Sequence, residues 1–145
     1  MYLIDTNVLS VGAPERRERN AALIDWMDAR SGALFLSTVT VAEVSDGIVK
    51  LKRTGATSRA AFLGEWLDLV IHLYGDRVIP FDIAAARVAG ELMDKARAKG
   101  HSPGFADLAI GATAVSRDLT VMTRNVRHFA PLDIRAINPF DSLPP

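Results

Sequence analysis

Two kinds of apolar pattern alternate along this chain: short runs closed by small polar residues, and longer stretches with apolar positions every three or four residues. The first pattern marks strands and the second helices. Tyr2-Leu3-Ile4 opens the chain as a strand and stops at Asp5-Thr6-Asn7. Gly12 to Asn20 is polar, carries Pro14 and reads as a loop entering a helix, on which Leu23, Ile24, Trp26 and Met27 share a broad face. Ala33 to Leu36 predicts a second strand. A helix then begins at Thr40, with Val41, Val44, Ile48 and Leu51 at helical spacing. The next helix carries Phe62, Leu63, Trp66, Leu67, Val70 and Leu73. "RVIPF" is a third strand, stopped by Pro80. Asp82 is placed to cap a helix running to Lys99, with Gly100 at its C-terminal end. "SPGFADLAIGATAV" predicts a nearly all-apolar helix with Ser102 as cap and Pro103 at its first position. "LTVMT" and "IRAINPF" complete the strands. Alternating strands and helices, some apolar on every side, predict an α/β fold of three layers, α/β/α, around a central mostly parallel sheet.

Composition narrows the class. A chain of 145 residues suits one domain, spanning 1–145, with a sizeable core. Apolar residues make up 49% and charged residues 23%, as in ordinary globular proteins. The formal net charge is zero, so any site for a polyanion must be local. The absence of cysteine excludes disulfides, thiolate nucleophiles and cysteine zinc sites, and it suits the cytoplasm, the expected location. No apolar stretch approaches the ~18–20 residues that span a bilayer, and the N-terminus does not read as a signal peptide, so no membrane role is expected.

Three carboxylates stand out against this background. Asp5 follows the first strand, Glu43 lies near the start of the helix after the second, and Asp107 lies near the start of the apolar helix before the fourth. In a parallel sheet the strand C-termini and the following helix N-termini share one edge, so all three can converge there. Each also has a plain structural reading. Asp5 can cap the next helix. Thr40-Val-Ala-Glu43 fits a capping box. Asp107 can complement a helix dipole. Taken together the plain readings weaken, because Asp107 is the only acidic or basic charge between His101 and Arg117 and a buried carboxylate needs a positive partner. No Lys or Arg adjoins any of the three in sequence. A hard divalent cation such as Mg²⁺ or Mn²⁺ would relieve their repulsion and suits oxygen ligands.

Other polar residues have double readings. Thr6 and Asn7 can hold the Asp5 carboxylate or bond their own loop. Thr123 can position a water or phosphate, or simply end a strand. His72, His101 and His128 show no metal-ligand spacing, and His128 reads as a surface histidine. Among several basic clusters, Arg124 and Arg127 are the best candidates for contacts to a substrate's phosphates. Asp118, in "SRDLT", reads as an ordinary turn aspartate at the far end of its strand. The few aromatics sit mostly at core spacing, which disfavours a base-stacking platform.

The stretches "LIDTNVLS", "STVTVAEVSDGI" and "GFADLAIGATAV", followed by "LTVMTRNVRHF", together resemble a PIN domain, in particular the VapC- and FitB-like toxins of toxin–antitoxin pairs. The resemblance covers nearly the whole chain. It implies a Mg²⁺- or Mn²⁺-dependent endoribonuclease with Asp5, Glu43 and Asp107 as metal ligands, leaving a 5′-phosphate and a 3′-hydroxyl. It also implies a homodimer neutralised by a cognate antitoxin. Many PIN domains carry a fourth acid after strand four, where this chain reads Thr123-Arg124-Asn125. Asn125 retains an amide for a water or a metal but removes one charge, leaving less to hold a second ion.

That change keeps an alternative open, a catalytically weakened domain acting as an RNA- or partner-binding module. A phospho-acceptor receiver domain lacks support, since no paired acids follow strand one. Phosphatase chemistry of the DxDxT type fails because the opening reads "DTN", and nucleotide-binding motifs GxxxxGK[ST] and GxGxxG are absent.

Overall fold

The computed structural model describes residues 1–145. Five strands, β1 (Tyr2–Ile4), β2 (Leu34–Ser37), β3 (Val78–Ile79), β4 (Thr120–Met122) and β5 (Ala136–Ile137), form one sheet in the order β3-β2-β1-β4-β5. Every neighbouring pair is parallel. From β1 the chain steps outward to β2 and β3, then crosses back to lay β4 on the other side of β1. Such a reversal opens a crevice beyond the C-termini of the two strands where it occurs. Register fixes what lines it: Ile4 lies opposite Leu36 on one side and Met122 on the other. The next residues, Asp5, Ser37 and Thr123, therefore stand at the same edge.

Seven helices cover the sheet: α1 (Thr6–Leu9), α2 (Ala21–Ala29), α3 (Thr38–Arg53), α4 (Thr57–Tyr74), α5 (Ile83–Ala98), α6 (Phe105–Ser116) and α7 (Val126–Phe129). Successive strand residues point to opposite faces. Leu3 and Val121 join Leu92, Ile110 and Phe129 in one core. Ile4, Leu36 and Met122 join Val8, Leu23 and Trp26 in the other. Both faces are buried, which is why the strands read as unbroken apolar runs. No helix is long and apolar enough to cross a membrane.

Two helix starts differ from the sequence expectation, and both bear on the site. Helix α3 begins at Thr38, not Thr40, because Ser37 caps it: its hydroxyl accepts from the Val39 N–H at 3.0 Å. Thr40 is buried and bonds back to the Ile4 carbonyl, so no capping box forms and the Glu43 side chain is free of its own helix end. Helix α6 begins at Phe105, with Gly104 as its cap and no side-chain bond there, so Ser102 and Pro103 lie outside it. Asp82 does cap α5, accepting from the Ala85 N–H at 3.0 Å. That helix ends at Ala98 with Lys99 as its cap, and Gly100 closes it as expected: its φ of 76° lets His101 and Gly100 donate to the Ala96 and Arg97 carbonyls.

Candidate active site

Asp5 leaves β1 still paired with β4, its N–H donating to the Met122 carbonyl at 3.0 Å, and its carbonyl accepts the first bonds of α1. Strand end and helix start together hold its side chain over the crevice. One carboxylate oxygen accepts from the Thr6 N–H at 2.7 Å, so Asp5 caps α1. The other accepts from Asn7 Nδ2 at 2.7 Å and Thr123 Oγ1 at 2.6 Å. With 5% of its surface exposed, this carboxyl is pushed above its ordinary value chiefly by burial and further by the charge of Asp107, while its three donors pull it down. Both sequence readings of Asp5 thus hold at once, and Asn7 holds the Asp5 carboxylate, its other side-chain bonds going to the distant Thr123 and Arg124 and none to its own loop. The cap and the cleft carboxylate are the same group.

Glu43 reaches the cleft from α3, where the Thr6 hydroxyl donates to it. Desolvation raises its carboxyl first, the Thr6 bond opposes this, and the charges of Asp5 and Asp107 raise it again. Asp107, in the first turn of α6, is half-buried, and His128 Nδ1 lies 3.0 Å from its Oδ2. The three acids sense one another's charge, and neither Asp5 nor Glu43 is ion-paired with any Lys, Arg or His. They do not close on a single point: no three His, Asp or Glu side chains stand as a ready-made ligand group. The donor chemistry, three carboxylates with no Lys or Arg paired to them, fits a hard divalent ion.

The β4–α7 loop supplies the rest. Thr123 is fully buried and is a hub, donating to Asp5 while accepting from Asn7 Nδ2 at 3.1 Å and the Asn125 N–H at 3.0 Å. Asn7 Oδ1 accepts from the Arg124 N–H at 2.8 Å, tying this loop to α1. Asn125 is thereby placed beside Thr123 at the cleft. The Arg124 guanidinium lies 4.0 Å above the Phe140 ring, and Arg127 is exposed. His128 lies at the surface as expected, its side chain 40% exposed, but it is also the side-chain partner of Asp107. No local spacing in the sequence signals this pairing, because the two residues are 21 positions apart.

A parallel sheet with carboxylates gathered at its switch point, Asp5 and Glu43 oriented by neutral donors and none of the three paired with a Lys or Arg, defines an α/β protein with an acidic cleft. Residues 2–133 match the PIN domain family. The plasmid stability protein StbB of Pseudomonas syringae pv. tomato is 38% identical over 144 residues, 98% of this chain and 100% of that protein. The VapC ribonuclease Y4jK of Sinorhizobium fredii is 34% identical, with 97% and 99% of the two chains covered. Among solved structures, the crystal structure of FitAcB from Neisseria gonorrhoeae superposes with a TM-score of 0.84 at 32% identity, covering 97% of this chain and 99% of that one. The chain belongs to the PIN domain family.

Proposed function

We propose that this protein is the toxin of a toxin–antitoxin pair, a ribonuclease that hydrolyses RNA phosphodiester bonds at the cleft formed by Asp5, Glu43 and Asp107. The observation that carries this assignment is the convergence of the three acids at the switch point with no Lys or Arg paired to them. The names of the relatives, a VapC ribonuclease and the FitAcB complex, support it. Asp5, Glu43 and Asp107 would hold Mg²⁺ or Mn²⁺. Such an ion supplies Lewis acidity at a phosphoryl oxygen and offsets the repulsion between the carboxylates.

The chain's own groups prepare that site. Thr123, Asn7 and the Thr6 N–H fix the Asp5 carboxylate, and the Thr6 hydroxyl fixes Glu43. Asn125 offers a neutral amide beside them for a substrate oxygen or water. Arg127 on the rim can meet a phosphate, and the Arg124 guanidinium, stacked on Phe140, is pre-oriented to do the same. Hydrolysis adds water across the P–O3′ bond and yields a 5′-phosphate and a 3′-hydroxyl. A cognate antitoxin would dock in the hollow of about 320 Å³ between α1, α3 and α4, whose wall includes Glu43, Val44, Ile48, Leu63 and Trp66.

The test is cleavage of a mixed RNA pool by antitoxin-free protein with Mg²⁺, with Mn²⁺ and with chelator. Cleavage that requires the ion is expected. Undiminished cleavage in chelator would remove the cation from the assignment. RNA binding without cleavage would favour the binding module that Asn125 keeps open, and Asn125→Asp would then be the variant to make.

A further inference from the structure

Of the three carboxylates, Asp107 is the one that the strand-end donors do not reach. Thr6, Asn7 and Thr123 all serve Asp5 or Glu43. The side-chain bond to Asp107 comes from His128, whose Nδ1 lies 3.0 Å from Oδ2. We propose that His128 is a positioning residue whose Nδ1–H donates to Asp107 and turns that carboxylate toward Asp5 and Glu43. This rests on the cation-binding role proposed above for the three acids.

An unheld Asp107 has somewhere else to go. Helix α6 begins at Phe105 with Gly104 as a cap that offers no side chain, so the amides of its first turn lack side-chain partners. A short acidic side chain in that turn readily bends back to such amides. In this structure its Oδ2 accepts from the imidazole instead. The imidazole in turn is firmly placed. His128 belongs to the single-turn helix α7, where its N–H donates to the Asn125 carbonyl at 2.9 Å. The adjoining Phe129 is fully buried, and its ring packs on Gly111 of α6, a position where any Cβ would also collide with the Ile134 side chain. At the other end of the segment, Thr123 accepts from the Asn125 N–H while donating to Asp5. The stretch from Thr123 to Phe129 is thus a strap that holds Asp5 at one end and Asp107 at the other. Because a carboxylate only accepts, Nδ1 is the donor. That hydrogen is present in the neutral Nδ1–H tautomer and in the imidazolium alike, so the role does not depend on the charge of the ring.

Partners that orient a ligating side chain typically change metal affinity by 10–100-fold when removed. The experiment uses full-length, antitoxin-free protein and measures Mn²⁺ affinity by titration calorimetry and electron paramagnetic resonance. The variants are His128→Ala, His128→Gln and His128→Asn. The Asn Nδ2 lies close to where the imidazole Nδ1 was, whereas the Gln amide reaches one atom too far. Mn²⁺ affinity is expected to fall roughly tenfold or more in the Ala and Gln variants and to stay within about threefold of wild type in the Asn variant. RNA cleavage should follow the same order. The thermal midpoint should scarcely move, since the His128 side chain is 40% exposed. Should His128→Ala fail to fold, the Gln and Asn pair decides alone. Wild-type affinity in a folded Ala variant, or an Asn variant as weak as Gln, would overturn the proposal. A wild-type protein that takes up no Mn²⁺ would instead overturn the cation role of the three acids, and this inference with it.

Discussion

Aspartates at the two ends of the sheet are treated in opposite ways. Asp118 and Asp133 lie in the turns that lead into β4 and β5, both with left-handed backbone at φ of 52° and 53°. Each has a cation: Arg135 for Asp118, and Lys99 at 2.7 Å for Asp133. The Lys99 hydrogen bond, reinforced by its charge, holds the Asp133 carboxyl below its ordinary value. At the other end, Asp5 and Glu43 have no ion pair; burial pushes Asp5 upward, and the more exposed Glu43 is raised by partial desolvation, with neighbouring acids adding to both. The difference is one of donor type. At the turns the protein cancels charge, whereas at the cleft it supplies neutral hydroxyl, amide and backbone donors that orient the oxygens and leave the negative charge in place. An acid fixed in direction but not neutralised retains its attraction for an external cation.

The sharpest way to break this contrast is to neutralise one acid at each end. Asp5→Asn should lower RNA cleavage at least about a hundredfold, some 2.7 kcal/mol of barrier, whereas Asp118→Asn should stay within about twofold of wild type. Initial rates on one RNA substrate, measured side by side, decide it. Equal losses at the two ends would mean that the acids of the cleft have no special role.

A smaller effect is expected from the donors. Thr123→Val keeps the shape of a fully buried side chain but removes the hydroxyl that serves Asp5, Asn7 and Asn125. Leaving such groups unpaired costs about 1–3 kcal/mol. In a chain of this size that lowers the thermal midpoint by roughly 2–4 °C per kcal/mol. Calorimetry of metal-free protein would measure it. A midpoint equal to wild type would show that the hub carries no net stabilisation.

Much of this was legible in the chain. The strand runs, the parallel three-layer fold and the three acids follow from apolar periodicity and from where polar residues interrupt it. What stayed hidden depended on register and on contacts distant in sequence. Thr40-Val-Ala-Glu43 has the spacing of a capping box, but Ser37 lies where β2 ends level with β1 and takes the cap, which frees Glu43 for Thr6. Ser102-Pro103 looked like a helix start, yet the helix begins at Phe105 after Gly104. His128 and Asp107 are separated by 21 positions, and it is tertiary packing, Phe129 against α6 in the shared core, that brings their helices together. Local signals identified the acids, and tertiary packing chose their partners.

The finest test of the two ends is the sign of their pH dependence in metal-free protein. Glu43 has an ordinary value of 4.5 and is raised in the folded chain, so the folded state binds that proton more tightly than the unfolded state. Stability from this group is therefore greatest at low pH and declines as pH rises from about 4.5 through the raised value. Glu43→Gln keeps an acceptor for the Thr6 hydroxyl and removes that decline, so with chelator present it should unfold at a higher temperature than wild type at pH 7. Asp133 is lowered from 3.8, so its contribution is full above that value and is lost as pH falls through the lowered one. Asp133→Asn retains a residue tolerant of the left-handed backbone, and its midpoint should drop only slightly at pH 7, the smallest change of the series. On acidification both differences should shrink, the Glu43 one as pH falls to about 4.5 and below, the Asp133 one only as pH falls through its lowered value. Thermal scans of the three proteins across this range would check it. A Glu43→Gln variant less stable than wild type at neutral pH would show that the Glu43 charge is already compensated within the protein, and that the two ends of the sheet do not differ as described.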